Sequence, residues 1–163
     1  MLYLLDANVL IRAHEDYYPI GRVPQFWDWL VAVAEAGHAK MPFEIHSEIA
    51  ISKGPLKDWV CSAEVKKKLI LDEEISPTLL NKVLHDGYAP DLDDSELEEI
   101  GQDPFLVAYG LASADRVIVT KEISKPSKKR ANRKVPDVCN SVGVPWMKDF
   151  EFFRALNFTT TGK

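Results

Sequence analysis

Hydrophobic residues along this chain form short continuous runs that are separated by longer stretches with a helical spacing. The runs LYLL (2–5) and RVIVT (116–120) show no alternation of apolar and polar positions. Such runs are typical of parallel strands that are covered on both faces. In the stretch 25–36, by contrast, large apolar residues recur every three or four positions, as on one face of a helix. The pattern predicts an α/β fold with a mostly parallel sheet flanked by helices.

Weaker signals predict the remaining elements. Further strands are predicted at 39–42, 69–72 and 144–147. Further helices are predicted from about Asn8, through Glu44 and Glu48 towards Gly54, over 55–68, from Ser76 and Pro77 to about His85, and from Asp103 onwards. A short helical turn over 136–143 and a closing helix capped by Asp149 complete the prediction.

Length and composition indicate one globular domain. A chain of 163 residues fits a single domain of about 100 to 200 residues, and its 46% hydrophobic content is ordinary for a folded protein. We predict one domain over 1–157 and a C-terminal tail over 158–163. The two cysteines, Cys61 and Cys139, lie far apart without the spacing of a zinc site or a disulfide framework, which favours a reducing, cytoplasmic location. No run is long enough to predict a membrane helix.

The charge is unevenly distributed along the chain. The net charge of -5 is not typical of a non-specific nucleic-acid binder. However, the segment 121–134 carries seven Lys and Arg residues and one acid, which leaves 13 basic and 24 acidic residues in the rest of the chain. This segment is predicted to be a loop. It is either a solvated surface or a basic rim that contacts phosphates.

Polar residues follow both clear strands directly. Asp6 and Asn8 come after the first strand, and Thr120 and Glu122 come at the end of the second. Ligands of α/β proteins bind beyond the carboxyl ends of the strands. The sequence therefore predicts a functional site there, although Asp6 could also cap the next helix and Glu122 could be a solvated loop residue.

Three further acids have both a structural and a functional interpretation. Asp103 and Asp137 each stand next to a proline at the start of a helix, which is the ordinary pattern of an N-cap. Glu48 lies within a helix among isoleucines, where it faces either a cleft or the solvent. Residue type alone does not separate these alternatives.

Four segments in this order resemble the PIN domain: LLDANVLI, PFEIHSEI, QDPFLVAYGLA and VIVTKE. The resemblance covers roughly residues 2–156, and EIAISKGPLKDW and KVPDVCNSVGV are similar to a bacterial branch related to VapC-type toxins. It implies a three-layer fold in which Asp6, Glu48, Asp103 and Glu122 are catalytic. Glu122 stands where many members have Asp, and Glu44 is a rival for Glu48. The implied metal ligands are Asp6, Glu48, Asp103 and Asp137, and the implied substrate-binding residues are Asn8, Thr120, Lys121, Lys128, Lys129 and Arg130.

The resemblance implies a metal-dependent ribonuclease. Oxygen-only ligands select hard cations, which favours Mg²⁺ or Mn²⁺ over Zn²⁺. Such ions activate water and neutralise charge on the leaving oxygen of a phosphodiester. By resemblance, the products carry a 5′-phosphate and a 3′-hydroxyl, and the protein is the toxin of a toxin–antitoxin pair that binds RNA, a cognate antitoxin and a second copy of itself.

Two other functions remain open at this stage. Haloacid-dehalogenase-like phosphatases also place a nucleophilic Asp after an opening buried strand, but they have a second Asp two residues later, where this chain has Asn8. A catalytically silent module that binds RNA or protein is the other alternative, because the acids could persist as helix caps. Stabilisation by Mn²⁺ would separate a working metal site from a silent one.

Overall fold

A parallel four-stranded sheet forms the centre of the molecule, as seen in a computed structural model that describes residues 1–161. The strands are β1 (Leu2–Leu5), β2 (Ala39–Lys40), β3 (Arg116–Val119) and β4 (Trp146–Met147). They lie in the order β2-β1-β3-β4, and all pairs are parallel. The register of the two central strands pairs Leu5 with Val119, so that β1 and β3 end at the same level. The predicted α/β fold with a parallel sheet is confirmed.

Helices flank the sheet and complete a three-layer α/β arrangement. Ten α-helices lie within residues 1–161: α1 (Ala7–Arg12), α2 (Pro24–Glu35), α3 (Phe43–Ala50), α4 (Pro55–Val60), α5 (Ala63–Leu69), α6 (Pro77–Lys82), α7 (Asp94–Ile100), α8 (Asp103–Leu111), α9 (Val135–Val142) and α10 (Asp149–Ala155). Two π-helical segments follow α1 and α6, at Ala13–Tyr17 and Val83–Tyr88, and a 3-10 turn spans Arg130–Asn132.

Two predictions about the middle of the chain were wrong. The strand expected at 69–72 is reduced to a single bridge between Met41 and Ile70, because Leu69 still belongs to α5. The helix expected over 55–68 is divided into α4 and α5 at Ser62, whose backbone is extended with φ -63° and ψ 144°. Both differences arise where the chain changes direction over one or two residues, which hydrophobic spacing does not reveal.

Close packing places α8 directly against the sheet. A methyl group at Gly110 would lie 2.8 Å from Val144 and 3.0 Å from Ile118 of β3, so only glycine permits this approach. Most of α8 is buried, as expected for a helix that is apolar on nearly all sides. This packing fixes the start of α8 near the ends of the central strands.

Aromatic side chains close the other side of the core. Phe26 and Trp29 of α2 contact Phe153 of α10, with ring centroids 5.1 Å and 6.0 Å away. Phe158 joins this group at 5.3 Å from Phe26 and 5.2 Å from Trp29. The predicted tail of 158–163 therefore begins with a packed residue, and its last two residues lie outside the described part of the chain.

The described residues contain no candidate membrane-spanning helix. None of the helices within 1–161 combines the length and the apolar character that crossing a bilayer requires.

Candidate active site

Asp6 lies at the carboxyl end of β1 and is held by three neighbours. Its Oδ1 accepts a hydrogen bond from the Ala7 amide at 2.8 Å, and its Oδ2 accepts one from the Thr120 hydroxyl at 2.8 Å. The Asn8 amide group lies 3.2 Å from the same Oδ2. Asp6 therefore caps α1, as its structural interpretation predicted, and at the same time points towards the end of β3.

Asn8 and Thr120 orient this carboxylate. The side-chain amide of Asn8 also lies 3.3 Å from Thr120 Oγ1, and its Oδ1 accepts a hydrogen bond from the Lys121 amide at 2.9 Å. Thr120 is fully buried, and its oxygen accepts a further hydrogen bond from the Glu122 amide at 3.1 Å. Because these groups are already bonded, they position Asp6 rather than present free groups to a substrate.

Asp103 is the first residue of α8, so its structural interpretation as an N-cap does not hold. The cap position belongs to Gln102, and no side chain caps the helix there. The Asp103 carboxylate accepts no hydrogen bond from any described residue. The helix start nevertheless suits an anion, because the first-turn amides carry partial positive charge.

Glu48 and Glu44 lie one turn apart on α3 but belong to different surroundings. Glu48 is half-buried and accepts no hydrogen bond from a described residue. Its negative charge contributes to the raised pKa of both Asp6 and Asp103. Glu44 Oε1 instead accepts a hydrogen bond from the Tyr109 hydroxyl at 3.1 Å. The structure thus associates Glu48, and not Glu44, with the strand-end acids.

Glu122 lies beyond the end of β3 and faces the start of α9. Its Oε2 accepts a hydrogen bond from the Val135 amide at 2.6 Å, the first amide of that helix. Its negative charge contributes to the raised pKa of Asp6, Glu48 and Asp103. We call Asp6, Glu48, Asp103 and Glu122 the strand-end cluster.

The strand-end cluster holds like charges in partly water-excluded surroundings. Burial, and then the charges of Glu122 and Glu48, raise the pKa of Asp6 to about 7, although the Thr120 hydrogen bond opposes the shift. Burial, followed by the charges of Asp6, Glu122 and Glu48, raises the pKa of Asp103 to about 8, while Lys134 opposes it. Burial and the Glu122 charge also raise the pKa of Glu48. The neutral forms of these carboxyl groups are favoured mainly because burial removes water from the charged forms, and the neighbouring negative charges add to this effect.

The donor chemistry of this cluster fits a hard divalent cation, whereas its present spacing does not yet form a complete site. Within residues 1–161, no three acidic, histidine or cysteine side chains stand close enough to hold a metal ion. Asp103 and Glu48 are unbonded, so both carboxylates can turn towards an ion without breaking a hydrogen bond. The fit is therefore one of charge and ligand type, and not of the present geometry.

Asp137 lies outside the strand-end cluster. Its carboxylate is buried and accepts hydrogen bonds from the Ser124 hydroxyl at 2.5 Å and from the Lys125 amide at 2.7 Å. It occupies the third position of α9, so its structural interpretation as an N-cap does not hold. Both of its oxygens anchor the loop that follows β3.

The predicted substrate-binding cations divide into paired and unpaired groups. Lys121 forms an ion pair with Asp149 at 3.2 Å, and Asp149 begins α10 without capping it. Arg130 is exposed and pairs with Asp91 and Glu96, both at 2.8 Å. Lys128 and Lys129 are exposed and form no ion pair with a described residue. The free positive charge of the loop is thus confined to part of its length.

Two residues beside the cluster were not singled out from the sequence. The positive charge of Lys134 opposes the rise in the pKa of Asp103. Tyr88 is buried, and the charges of Asp103 and Glu122 add to the effect of burial in raising its pKa. Lys134 is one of seven cations in its segment, so nothing in the sequence separates it from its neighbours. Tyr88 is the last residue of a π-helical segment that hydrophobic spacing did not predict.

Comparisons with known proteins identify a family without assigning an activity. No curated protein and no solved structure matches this chain significantly. The sequence profile of a family described as a domain of unknown function (DUF4411) matches residues 3–160. This match includes every member of the strand-end cluster and the whole sheet apart from its first residue. The chain therefore belongs to the DUF4411 family.

Proposed function

We propose that this protein is a metal-dependent ribonuclease that hydrolyses RNA phosphodiester bonds at the strand-end cluster. The observation that carries the proposal is that the Asp6 carboxylate at the end of β1 is bonded to Thr120 at the end of β3, beside three further acids. Two of these acids, Glu48 and Asp103, accept no hydrogen bond from a described residue. Such an arrangement costs stability in the empty protein, and binding of a divalent cation would relieve it. The resemblance to PIN domains supports the same reaction.

Asp6, Asp103 and Glu48 would hold the ion, with Glu122 adjacent to them. Mg²⁺ or Mn²⁺ bound there would lower the pKa of a water molecule and neutralise charge on the phosphate. Asp137 is left out of this ligand set because its carboxylate faces Ser124 and Lys125 of the loop rather than the other acids.

The other residues of the site prepare it for a phosphodiester. Thr120 and Asn8 keep the Asp6 carboxylate in one orientation through the hydrogen bonds described above. The Val135 amide holds Glu122 near the cluster. Attack of water at phosphorus and departure of the 3′ oxygen would leave a 5′-phosphate and a 3′-hydroxyl.

The biological role is proposed by resemblance alone. A toxin of a toxin–antitoxin pair would act on RNA in the cytoplasm, bind a cognate antitoxin and form homodimers. Growth arrest on expression would support that role. Harmless expression in several hosts would contradict the toxin role, but it would not bear on the nuclease chemistry.

Cleavage of a labelled RNA tests the enzymatic proposal. We expect the purified protein to cut RNA with Mn²⁺ or Mg²⁺ and to lose this activity in EDTA. Asp6→Asn and Asp103→Asn should each reduce the rate about 100-fold or more, because they remove charge at the place where the ion binds. Asp28→Asn is the matched control, since Asp28 is an exposed aspartate of α2 outside the cluster.

Each contrary outcome has a defined meaning. Wild-type rates in Asp103→Asn exclude Asp103 as a ligand. Hydrolysis of a small phosphomonoester with RNA left intact supports the haloacid-dehalogenase-like alternative. If millimolar Mn²⁺ neither promotes cleavage nor raises the melting temperature, the protein is a catalytically silent module.

A further inference from the structure

A cavity of about 290 Å³ opens beside the strand-end cluster. Asp103 and Glu122 lie on its inner wall, and exposed Glu99 lies at its rim. The basic loop supplies the facing wall. Tyr88, Lys128, Arg133 and Lys134 also line the cavity. It therefore joins the acidic cluster to the free cations of the loop.

Tyr88 lines this cavity, and its hydroxyl is a buried polar group without a partner among the described residues. The residue is only 7% exposed, and its oxygen is fully buried without a hydrogen-bond partner among the described residues. Buried hydroxyl groups are normally bonded, and an unbonded one costs stability. Burial, and then the charges of Asp103 and Glu122, raise the pKa of Tyr88, so the group keeps its proton and can donate it in a hydrogen bond.

The position of Tyr88 is fixed by the residue before it. A methyl group at Gly87 would lie 2.6 Å from Val138 of α9, so this backbone approaches the helix more closely than any other residue would allow. Arg133 donates a hydrogen bond to the Gly87 carbonyl and another to the Ser141 hydroxyl. Tyr88 is thus held in place before any ligand arrives, which makes its hydroxyl a preorganised donor.

The cations that line the cavity differ in whether another group of the chain already binds them. Arg133 is engaged by Gly87 and Ser141. Lys128 and Lys134 form no ion pair with a described residue, although Lys134 acts on the charge of Asp103. A neutral donor beside two free ammonium groups suits an anion with several acceptor oxygens.

We propose that Tyr88, Lys128 and Lys134 form a phosphate-binding subsite that holds an RNA phosphate next to the one that is cleaved. This inference rests on the proposed function, because the acids on the inner wall mark where cleavage takes place. The subsite explains why a tyrosine hydroxyl is buried without a partner in the free protein. The RNA phosphate supplies the missing acceptor.

Two buried or partly buried tyrosines provide a matched test. Tyr88→Phe removes only the unpartnered hydroxyl, whereas Tyr109→Phe removes a hydroxyl that donates to Glu44 at 3.1 Å. We expect Tyr88→Phe to melt at or above the wild-type temperature without ligand, and Tyr109→Phe to melt below it. Inorganic phosphate should bind Tyr88→Phe about fivefold more weakly, and the loss for RNA should fall on KM rather than on kcat.

A second variant tests the charged part of the subsite. Lys134→Gln should also weaken phosphate binding, and it should reduce the dependence of RNA binding on salt concentration by about one counterion. Tyr109→Phe should bind phosphate as tightly as the wild type.

The results distinguish this inference from the proposed function. Unchanged phosphate affinity and unchanged KM in Tyr88→Phe overturn the subsite, even if the protein cleaves RNA. A Tyr88→Phe variant that is destabilised like Tyr109→Phe and binds phosphate normally shows a purely structural tyrosine. Phosphate binding that depends on Tyr88 in a protein that does not cleave RNA supports the subsite and refutes the nuclease.

Discussion

Helices α3 and α8 and strand β3 each position residues in two acidic clusters. One cluster contains an arginine that pairs with its acids, and the other does not. Helix α3 contributes Glu48 to the strand-end cluster and Glu44, one turn earlier, to a second cluster. Helix α8 contributes Asp103 to the first and Tyr109 to the second. Glu122 of the first lies beyond the end of β3, and Arg116 of the second begins that strand. We call the second group the arginine cluster. Its members are Glu44, Glu73, Tyr109 and Arg116.

The arginine cluster contains its own cation. Arg116 is 8% exposed, binds the Glu73 carboxylate with two nitrogens and donates to the Tyr109 carbonyl at 2.8 Å. Tyr109 in turn donates to Glu44 at 3.1 Å and contacts the Glu73 carbonyl at 3.4 Å. Most of these groups are bonded, although one Glu44 oxygen and the Arg116 Nε are buried without a partner among the described residues. The cation of this cluster is thus supplied by the chain itself.

Among the described residues, no arginine or lysine forms an ion pair with the strand-end cluster. Burial and neighbouring acids raise the pKa of Asp6, Glu48 and Asp103, and Glu48 and Asp103 accept no hydrogen bond within the described residues. Buried carboxylates are usually paired, so this difference is consistent with the proposed binding of a cation at the strand-end cluster. The comparison therefore separates a structural acidic group from a candidate binding site.

Activity should show the largest contrast between the clusters. Glu48→Gln is expected to reduce RNA cleavage about 100-fold, because it removes charge from the proposed ion site. Glu44→Gln, one helical turn away, should change the rate less than about twofold, since Glu44 contacts only the arginine cluster. Initial rates with labelled RNA and Mn²⁺ measure both. Equal losses in the two variants would remove the distinction drawn here.

Stability should respond in opposite directions to the loss of one charge. Arg116→Met breaks the contacts with Glu73 and Tyr109 and should lower the free energy of unfolding by about 2 kcal/mol, a moderate value because Glu73 is partly exposed. Asp103→Asn should raise the stability of the metal-free protein at pH 8, because it removes a repelled carboxylate. Chemical denaturation in EDTA measures both changes. Destabilisation by Asp103→Asn would mean that its charge is already compensated.

The pH dependence should be smaller but specific to the strand-end cluster. Asp6 and Asp103 have folded-state pKa values of about 7 and about 8, above their ordinary value of 3.8. The folded protein therefore binds more protons than the unfolded chain between about pH 4 and pH 8, and its stability falls as the pH rises through that range. We expect the metal-free protein to melt at a higher temperature at pH 6 than at pH 8.

Mn²⁺ and one variant provide the controls for this pH effect. Mn²⁺ should stabilise the protein more at pH 8 than at pH 6, because protons compete with the ion for the same carboxylates. Asp103→Asn should flatten the pH dependence, whereas Glu44→Gln should leave it in place. A wild-type melting temperature that rises from pH 6 to pH 8 in EDTA would contradict the raised pKa values.

Much of the fold could be predicted because its signals are local. The runs that became β1 and β3 are apolar without alternation, and the Ser76 cap and Pro77 start of α6 were read correctly from the sequence. The predictions failed for the acids at helix starts. Asp103, Asp137 and Asp149 all lie inside their helices, and none caps one. A cap and a first-turn residue differ by one position, which residue preference alone does not resolve.

The sequence by itself determined which residues end the central strands, since Asp6 and Thr120 follow uninterrupted apolar runs. It also determined that a parallel sheet would align those ends. Only the tertiary structure decided that Glu48 rather than Glu44 joins Asp6, that Asp137 anchors the loop, and that Tyr88 faces the same cavity. These outcomes depend on how helices pack against the sheet. A shift of α3 by one turn along its axis would exchange Glu44 and Glu48 without changing the hydrophobic pattern.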